Sequence, residues 1–256
     1  MNIIEVLILS IVEGITEFLP VSSTGHLILT AFLLKIPPID FFTTFEIVIQ
    51  FGAILAVLAI YGKLLWEQHK IWPLLIIGFL PSALAGLILY KFIKQYFLVN
   101  PFIPVITLFI GGLILIFIEK ILRSRNRELS MQNLDYKKSF YIGLFQTFSI
   151  IPGVSRSAAT IVGGLILGMN RKSAAEFSFL LAIPTMLGAT ALDLSESNLQ
   201  WNRQEIILII SGVAISFISA LLGVKFLIKF VEQNSLAVFG VYRIILSILY
   251  FILFLR

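Results

Sequence analysis

Glu13-Gly-Ile-Thr-Glu17-Phe-Leu-Pro20-Val-Ser22-Ser23-Thr24-Gly25-His26 is a dense polar run in a chain that is otherwise largely apolar. On a helix its two carboxylates lie about 40° apart and share one face. Carboxylates so placed repel unless one is protonated or a cation lies between them. They suit a Mg²⁺ or Ca²⁺ shared with phosphate oxygens, a general acid/base pair, or a proton relay in a transporter. Ser22, Ser23, Thr24 and His26 supply a nucleophile, phosphate donors and a base. The hydroxyls of Ser23 and Thr24 also suit the capping of a helix that begins near His26.

A second polar run, Pro152-Gly-Val-Ser155-Arg156-Ser157-Ala-Ala-Thr160, stands in the other half of the chain. An arginine between two serines, after Pro-Gly and before a small-residue helix start, suits an anion. Backbone N–H groups at a helix N-terminus and a guanidinium fork both favour phosphate. The alternative is an arginine that neutralises buried Glu13 or Glu17, but such a pair is replaceable by apolar residues at little cost, which favours phosphate.

The elements that must position these runs are membrane elements. Of 256 residues 59% are hydrophobic and 13% charged, against roughly 25% charged in soluble domains, and the apolar runs approach the roughly 20 residues that span a bilayer. The pattern predicts an all-α polytopic membrane protein. Residues 1–19 and 27–34 are too short or too interrupted to cross singly and read as a re-entrant helical hairpin with Pro20 to Gly25 at its tip. After the Pro37-Pro38 break, crossings are expected at 41–62, 71–90 and 101–118. A polar segment, 119–139, divides the chain. Short apolar pieces at 140–151 and up to Gly168 then flank the second polar tip. Crossings at 176–192, 206–228 and 236–255 complete the pattern.

One integral domain is therefore expected, with repeat halves 1–118 and 140–256 and a cytoplasmic linker at 119–139. An offset of 132 places Pro20 on Pro152 and Ser23 on Ser155. Three crossings per half would set the second half upside down, as in inverted-repeat transporters. With the N-terminus outside, inside segments hold twelve Lys/Arg and outside segments five, as the positive-inside rule requires. Arg156 and Arg243 alone fall within the membrane region. The two hairpins would enter from opposite faces and their tips would meet near the midplane.

This layout accounts for the net charge of +5 through topology, without nucleic acid as a partner. The absence of cysteine excludes disulfides, thiolate catalysis and Cys-based metal sites. No cleaved signal is expected from Met-Asn-Ile-Ile-Glu. His69, in a Glu-Gln-His-Lys loop, reads as a solvated surface residue. Glu46, Gln50 and Glu176 suit helix–helix hydrogen bonding or support of the site.

The run at 13–26 and the Pro-Gly-Val-Ser-Arg-Ser-Ala-Ala-Thr run at 152–160 resemble the two motifs of the bacterial undecaprenyl-diphosphate phosphatase family, the bacitracin-resistance family. Phe45-Glu-Ile-Val-Ile-Gln50-Phe-Gly-Ala-Ile-Leu-Ala56 and Ala175-Glu-Phe-Ser-Phe-Leu-Leu-Ala-Ile-Pro184 are similar to further family segments. The resemblance runs essentially the whole length. It implies a multi-pass enzyme of the bacterial plasma (inner) membrane, opening to the outer face, that removes the terminal phosphate of a C55 polyprenyl diphosphate. The product is the lipid carrier used for peptidoglycan synthesis.

The resemblance further implies a divalent cation, Mg²⁺ or Ca²⁺, at Glu13 and Glu17. Glu17, Ser23, His26 and Arg156 become the catalytic candidates, with Ser22, Thr24, Ser155, Ser157 and Thr160 beside Arg156 as phosphate-binding helpers. Ala158 departs from the family's usual glycine. The competing class is a polyprenyl-phosphate flippase or secondary transporter with a midplane anion site, since inverted repeats serve transport as readily as hydrolysis. Against it stands the Ser-Ser-Thr-Gly-His cluster opposite an arginine tip, which is more nucleophile chemistry than binding requires. Oligomeric state is not legible in the sequence; a homodimer is the form to test.

Overall fold

A computed structural model describes residues 1–37, 40–92, 96, 102–122, 128–196 and 202–254. Among them are ten α-helices and no strand. The first hairpin is α1 (Ile3–Thr16) and α2 (Ser23–Leu33), followed by α3 (Asp40–Glu67), α4 (Ile71–Phe92) and α5 (Phe102–Ile121). The second hairpin is α6 (Tyr136–Thr147) and α7 (Arg156–Ile166), followed by α8 (Arg171–Glu196), α9 (Arg203–Gln233) and α10 (Ala237–Phe254). Pro38, Lys94, Arg123, Arg125 and Arg127, on which parts of the sequence reading rest, lie outside the described residues.

The hairpin helices are short for stated reasons. The Pro20 ring conflicts with the carbonyl of Thr16 and supplies no N–H to it, and α1 ends at Thr16. Pro152 stands in the same relation to Phe148, where α6 gives way to a single 3₁₀ turn, Phe148–Ile150. At 14 and 11 residues, α1 and α2 reach about 21 and 17 Å at 1.5 Å per residue, short of a roughly 30 Å hydrocarbon core. The second helix of the first hairpin starts at Ser23, three residues before the start near His26 that the sequence suggests. Among the described residues five helices, α3, α4, α5, α8 and α9, are long and apolar enough to cross a membrane, and α2, α7 and α10 are shorter apolar helices.

Only 33–39% of the apolar window is buried in four of these spans, against 56% in α8. α8 is thus the central helix, packed on α3, α4, α7 and α9, while the others turn an apolar face outward that lipid must cover. Close packing uses small residues, as expected where helices lack a solvent-driven reason to associate. A side chain at Gly14 of α1 would collide with the Ser216 carbonyl and lie 2.8 Å from the Ala220 nitrogen of α9. Gly14→Val is therefore expected to overpack the α1–α9 contact by about 1–3 kcal/mol. Its thermal midpoint in detergent should fall by several degrees; an unchanged midpoint would contradict the contact.

The hairpins enter from opposite ends of the bundle. Val6 and Leu9 of α1 cluster with Phe41, Phe42 and Phe45 at the start of α3 and with Leu208 and Ile209 of α9. The Ser139 hydroxyl of α6 instead donates to the Leu74 carbonyl at 2.5 Å, at the start of α4, which is the end where α3 finishes. The pairings also exchange between halves: α1 packs on α9 as α6 packs on α4, and α3 on α9 as α8 on α4.

The segments read from their charge as one side of the membrane share one end of the bundle. Glu119 near the end of α5 takes a bidentate bond from Arg171 at the start of α8, at 2.9 and 2.6 Å. It also accepts from the Leu236 amide before α10. Lys172 pairs with Glu232 of α9 at 2.7 Å, and Tyr61 of α3 shares a surface groove with Lys225, Lys229 and Glu232. The polar segment 119–139 is thus anchored at both sides of its undescribed stretch. Glu119 is buried, Leu129 bridges to Met169, and Met131 and Leu134 join the main core.

Candidate active site

The two tips meet, and Glu17 is the joint. Its Oε1 accepts from Arg156 Nη2 at 2.9 Å and its Oε2 accepts from the Ser23 hydroxyl at 2.5 Å. The carboxylate and the guanidinium are only 9% and 10% exposed, so the pair is held largely away from water. Arg156 is further fixed by Nη1 donating to the Ser178 carbonyl at 3.0 Å and by the Phe18 ring, whose centre lies 5.5 Å from Cζ. Its buried Nε–H has no hydrogen-bond partner. One donor of the fixed fork is thus unused within the protein.

Each tip ends in a serine with a left-handed backbone. Ser22 (φ 72°) and Ser155 (φ 74°) cap α2 and α7, their hydroxyls accepting from the Gly25 and Ala158 amides. Such φ values are uncommon for residues with a side chain, and their repetition relates the two tips at an offset of 133. The offset of 132 from sequence identity is therefore displaced by one. Ser22 corresponds to Ser155, and Ser23 corresponds to Arg156, each the first residue of its helix. Candidate nucleophile and candidate phosphate cation thus occupy equivalent positions, both at a helix N-terminus, where anions are favoured.

The other candidates divide. Ser157 is fully buried, and its hydroxyl donates to the Leu19 carbonyl at 2.7 Å, tying one tip to the other. Ser155 lies 3.1 Å from the Ser157 hydroxyl as well as capping its helix. Thr160, also buried, bonds the Ser178 hydroxyl at 2.6 Å and the Arg156 carbonyl at 3.0 Å, so it stands behind the arginine and braces Ser178. Thr24 is exposed. His69 is exposed in its loop, as its charged surroundings suggest.

His26 does not touch Ser23. Its Nδ1 lies 2.8 Å from the Ser22 carbonyl and its Nε2 2.6 Å from the Tyr242 hydroxyl of α10, with the two rings stacked 5.5 Å apart. A carbonyl only accepts, so Nδ1 carries the hydrogen and the neutral ring takes the Tyr242 hydrogen at Nε2. The hydroxyl of Ser23 faces a carboxylate instead of an imidazole.

Glu13 is 0% exposed, and among the described residues neither of its oxygens has a hydrogen-bond partner. The charges that act on it are those of Glu17, Glu46 and Arg156. Carboxyl groups so placed share a proton or a cation, and their oxygens are of the type that a hard cation takes. Among the described residues no three His, Asp or Glu side chains converge on one point. A cation held by Glu13 and Glu17 would complete its shell with phosphate oxygens and water, as Mg²⁺ commonly does.

Comparison with known proteins fits this geometry. The family model described as "Bacitracin resistance protein BacA" matches residues 6–249. The chain belongs to the BacA family. Curated relatives named "Undecaprenyl-diphosphatase" include those of Aquifex aeolicus, 47% identical over 98% of both chains, and Sulfurihydrogenibium sp., 47% identical over 98% of this chain and 99% of the relative. One from Methanococcus aeolicus is 39% identical over 100% of both.

In this BacA-family chain two residues beside the tips escaped the sequence reading of the site. Tyr242 holds His26, and the neighbouring Arg243, fully buried in α10, reaches both tips. Neither contact has a local signal, since Tyr242 and His26 are 216 positions apart; the one hint was a charge in an apolar helix. Tyr242→Phe keeps the stacked ring and removes the hydroxyl. If the hydrogen on Nδ1 and the ring's orientation are set from this side, phosphate release should fall about 3- to 10-fold, the worth of one hydrogen bond of roughly 0.5–1.5 kcal/mol. Unchanged turnover would mean that the Ser22 carbonyl alone orients His26.

Proposed function

We propose that the protein hydrolyses undecaprenyl diphosphate to undecaprenyl phosphate and inorganic phosphate at the junction of the two hairpin tips. Membership of the BacA family and the names of the relatives support the reaction. The observation that carries the site is the bridging of Ser23 and Arg156 by the single carboxylate of Glu17. A candidate nucleophile, its base and a phosphate-binding cation are thereby within one hydrogen-bonded chain.

In this reading the diphosphate enters between the N-termini of α2 and α7. The Nε–H of Arg156 and the first-turn amides of the two helices bind its terminal oxygens. Glu17 accepts the hydroxyl proton of Ser23 as Oγ attacks the terminal phosphorus; the Oγ–P bond forms as the bond to the bridging oxygen breaks. Undecaprenyl phosphate leaves. Glu17 releases that proton to solvent, then takes one from the water that attacks the phosphoserine and returns it to Ser23 Oγ as the Oγ–P bond breaks, and inorganic phosphate departs. Arg156 faces the charge that develops on the phosphoryl oxygens, where a fixed donor is worth most. A divalent cation at Glu13 and Glu17 would add Lewis-acid stabilisation of those oxygens. His26, bound at both nitrogens, orders the start of α2.

The site is read as opening to the outer face of the bacterial plasma membrane. Support comes from the surplus of Lys/Arg in the segments that share the opposite end of the bundle. The natural lack of cysteine makes this testable: Asn202→Cys should react with an impermeant maleimide on whole cells and Lys137→Cys should not. The reverse labelling would turn the topology over.

The test of function is phosphate release from farnesyl or undecaprenyl diphosphate by detergent-solubilised protein, with and without EDTA. Release that needs a divalent cation and is lost in Glu17→Ala and Arg156→Ala is the expected result. A well-folded wild type that releases no phosphate would overturn the hydrolase and favour transport of the lipid phosphate.

A further inference from the structure

Arg243 is the largest of the fully buried side chains, at 0% exposure in the middle of α10. All of its hydrogen bonds in the structure go to backbone carbonyls. Nε donates to Leu108 at 3.4 Å, Nη1 to Val154 at 3.0 Å and Pro20 at 3.5 Å, and Nη2 to Thr107 at 3.1 Å and Gly153 at 2.9 Å. Pro20 belongs to the first tip, Gly153 and Val154 to the second, and Thr107 and Leu108 to α5. One guanidinium therefore bonds three separate segments, two of which carry the site.

A charge at this depth is costly and is ordinarily matched by an opposite charge. Among the described residues no carboxylate is a partner of Arg243, so neutralisation does not explain it. Carbonyl dipoles satisfy its donors while its net charge remains. The surrounding packing is shaped around the group. Gly111 of α5 lies under the guanidinium, and a β-carbon there would stand 2.6 Å from Cζ. Gly112 and Gly240 bring α5 and α10 together, a β-carbon at either standing 2.6 Å from the other's carbonyl oxygen. Thr107 of α5 adds a second clasp on the second tip through the Pro152 carbonyl at 2.7 Å.

We propose that Arg243 is a positioning residue for the phosphate site: from a rigid α5–α10 frame its fork fixes the separation of the two hairpin tips, and its unneutralised charge lies behind them as part of the field that favours a diphosphate. The inference rests on the reading of the tips as a phosphatase site. The fork geometry is the essential part. Lysine keeps the charge and three donors, but all on one nitrogen, without the rigid spread by which Nε, Nη1 and Nη2 reach carbonyls of three segments. Misplacement of reacting groups by about 1 Å costs on the order of 100-fold in rate, so the loss should fall on kcat more than on KM.

The experiment pairs kinetics with a distance. Ile15→Cys on the first hairpin and Phe148→Cys on the second, both exposed, carry nitroxide labels in the cysteine-free chain. Arg243→Lys is expected to lower kcat by about 100-fold with KM changed less than several-fold, and to broaden or shift the label-to-label distance. Should Arg243→Lys fail to fold, Gly111→Ala takes its place, because the added methyl displaces the guanidinium without removing its charge. Wild-type kcat in the variant, or reduced kcat with an unaltered distance distribution, would overturn the proposal. Absence of phosphate release from the wild type would defeat the phosphatase reading by itself; the distance measurement would still decide the clamp.

Discussion

Arg156→Ala is expected to reduce kcat/KM for phosphate release by about 10²- to 10⁴-fold, with a measurable loss of thermal stability. Two effects act in the same direction. Breaking a buried ion pair by removing one partner leaves the other charge uncompensated, typically at about 3–5 kcal/mol, and Glu17 is only 9% exposed. The substrate also loses the guanidinium that bonds its oxygens and faces the developing charge. Arg156→Lys should recover part of the stability but little of the rate. A lysine can reach Glu17, whereas the arginine fork simultaneously holds the Ser178 carbonyl and Glu17 and still offers Nε. The comparison thus separates structural neutralisation from phosphate recognition, the two readings that the sequence left open. If Arg156→Lys restored full activity, a single positive charge would suffice at this position and the fork would be dispensable. Activity within tenfold of wild type in Arg156→Ala would remove it from the site altogether.

The fold and the meeting of the two polar runs were legible because polar residues in an apolar chain are conspicuous. Glu13, Glu17 and Arg156 had to be buried at membrane depth, and Pro20 and Pro152 marked where the hairpin helices stop. What the sequence misplaced was governed by backbone or long-range geometry. The offset slipped by one because Ser23 and Ser155 match in type, while the repeated feature is the left-handed backbone of Ser22 and Ser155. The helix start moved to Ser23 because the Ser22 hydroxyl, and not those of Ser23 and Thr24, makes the cap. Glu119 read as part of a polar linker; its bond to Arg171, 52 residues away, carries no periodic signature. His26 was read as a base within the first cluster, but its ring is held by the Ser22 carbonyl and by Tyr242 of α10, 216 positions away, a contact with no local signal.

Glu17 and Ser23 should behave as one unit, and their double-mutant cycle is the sharper test of mechanism. Glu17→Gln keeps the size of the side chain and its bond to the Ser23 hydroxyl, but it can neither take the proton nor match the charge of Arg156. Loss of a positioned general base costs typically 10²- to 10⁴-fold, and Glu17→Gln should fall in or below that range. Ser23→Ala removes the oxygen that attacks phosphorus and should lose at least as much. Groups that act in the same step are strongly non-additive, so the double variant should be no slower than the worse single one. A phosphoserine at Ser23, trapped by acid quench in wild type and absent from Ser23→Ala, would accompany that result. If the losses instead multiplied and no phosphoserine formed, Glu17 would be activating water directly and Ser23 would be a phosphate ligand. The 2.5 Å bond between them fits both steps in its geometry. What distinguishes them is the atom that the Glu17 carboxylate deprotonates, and the cycle measures that.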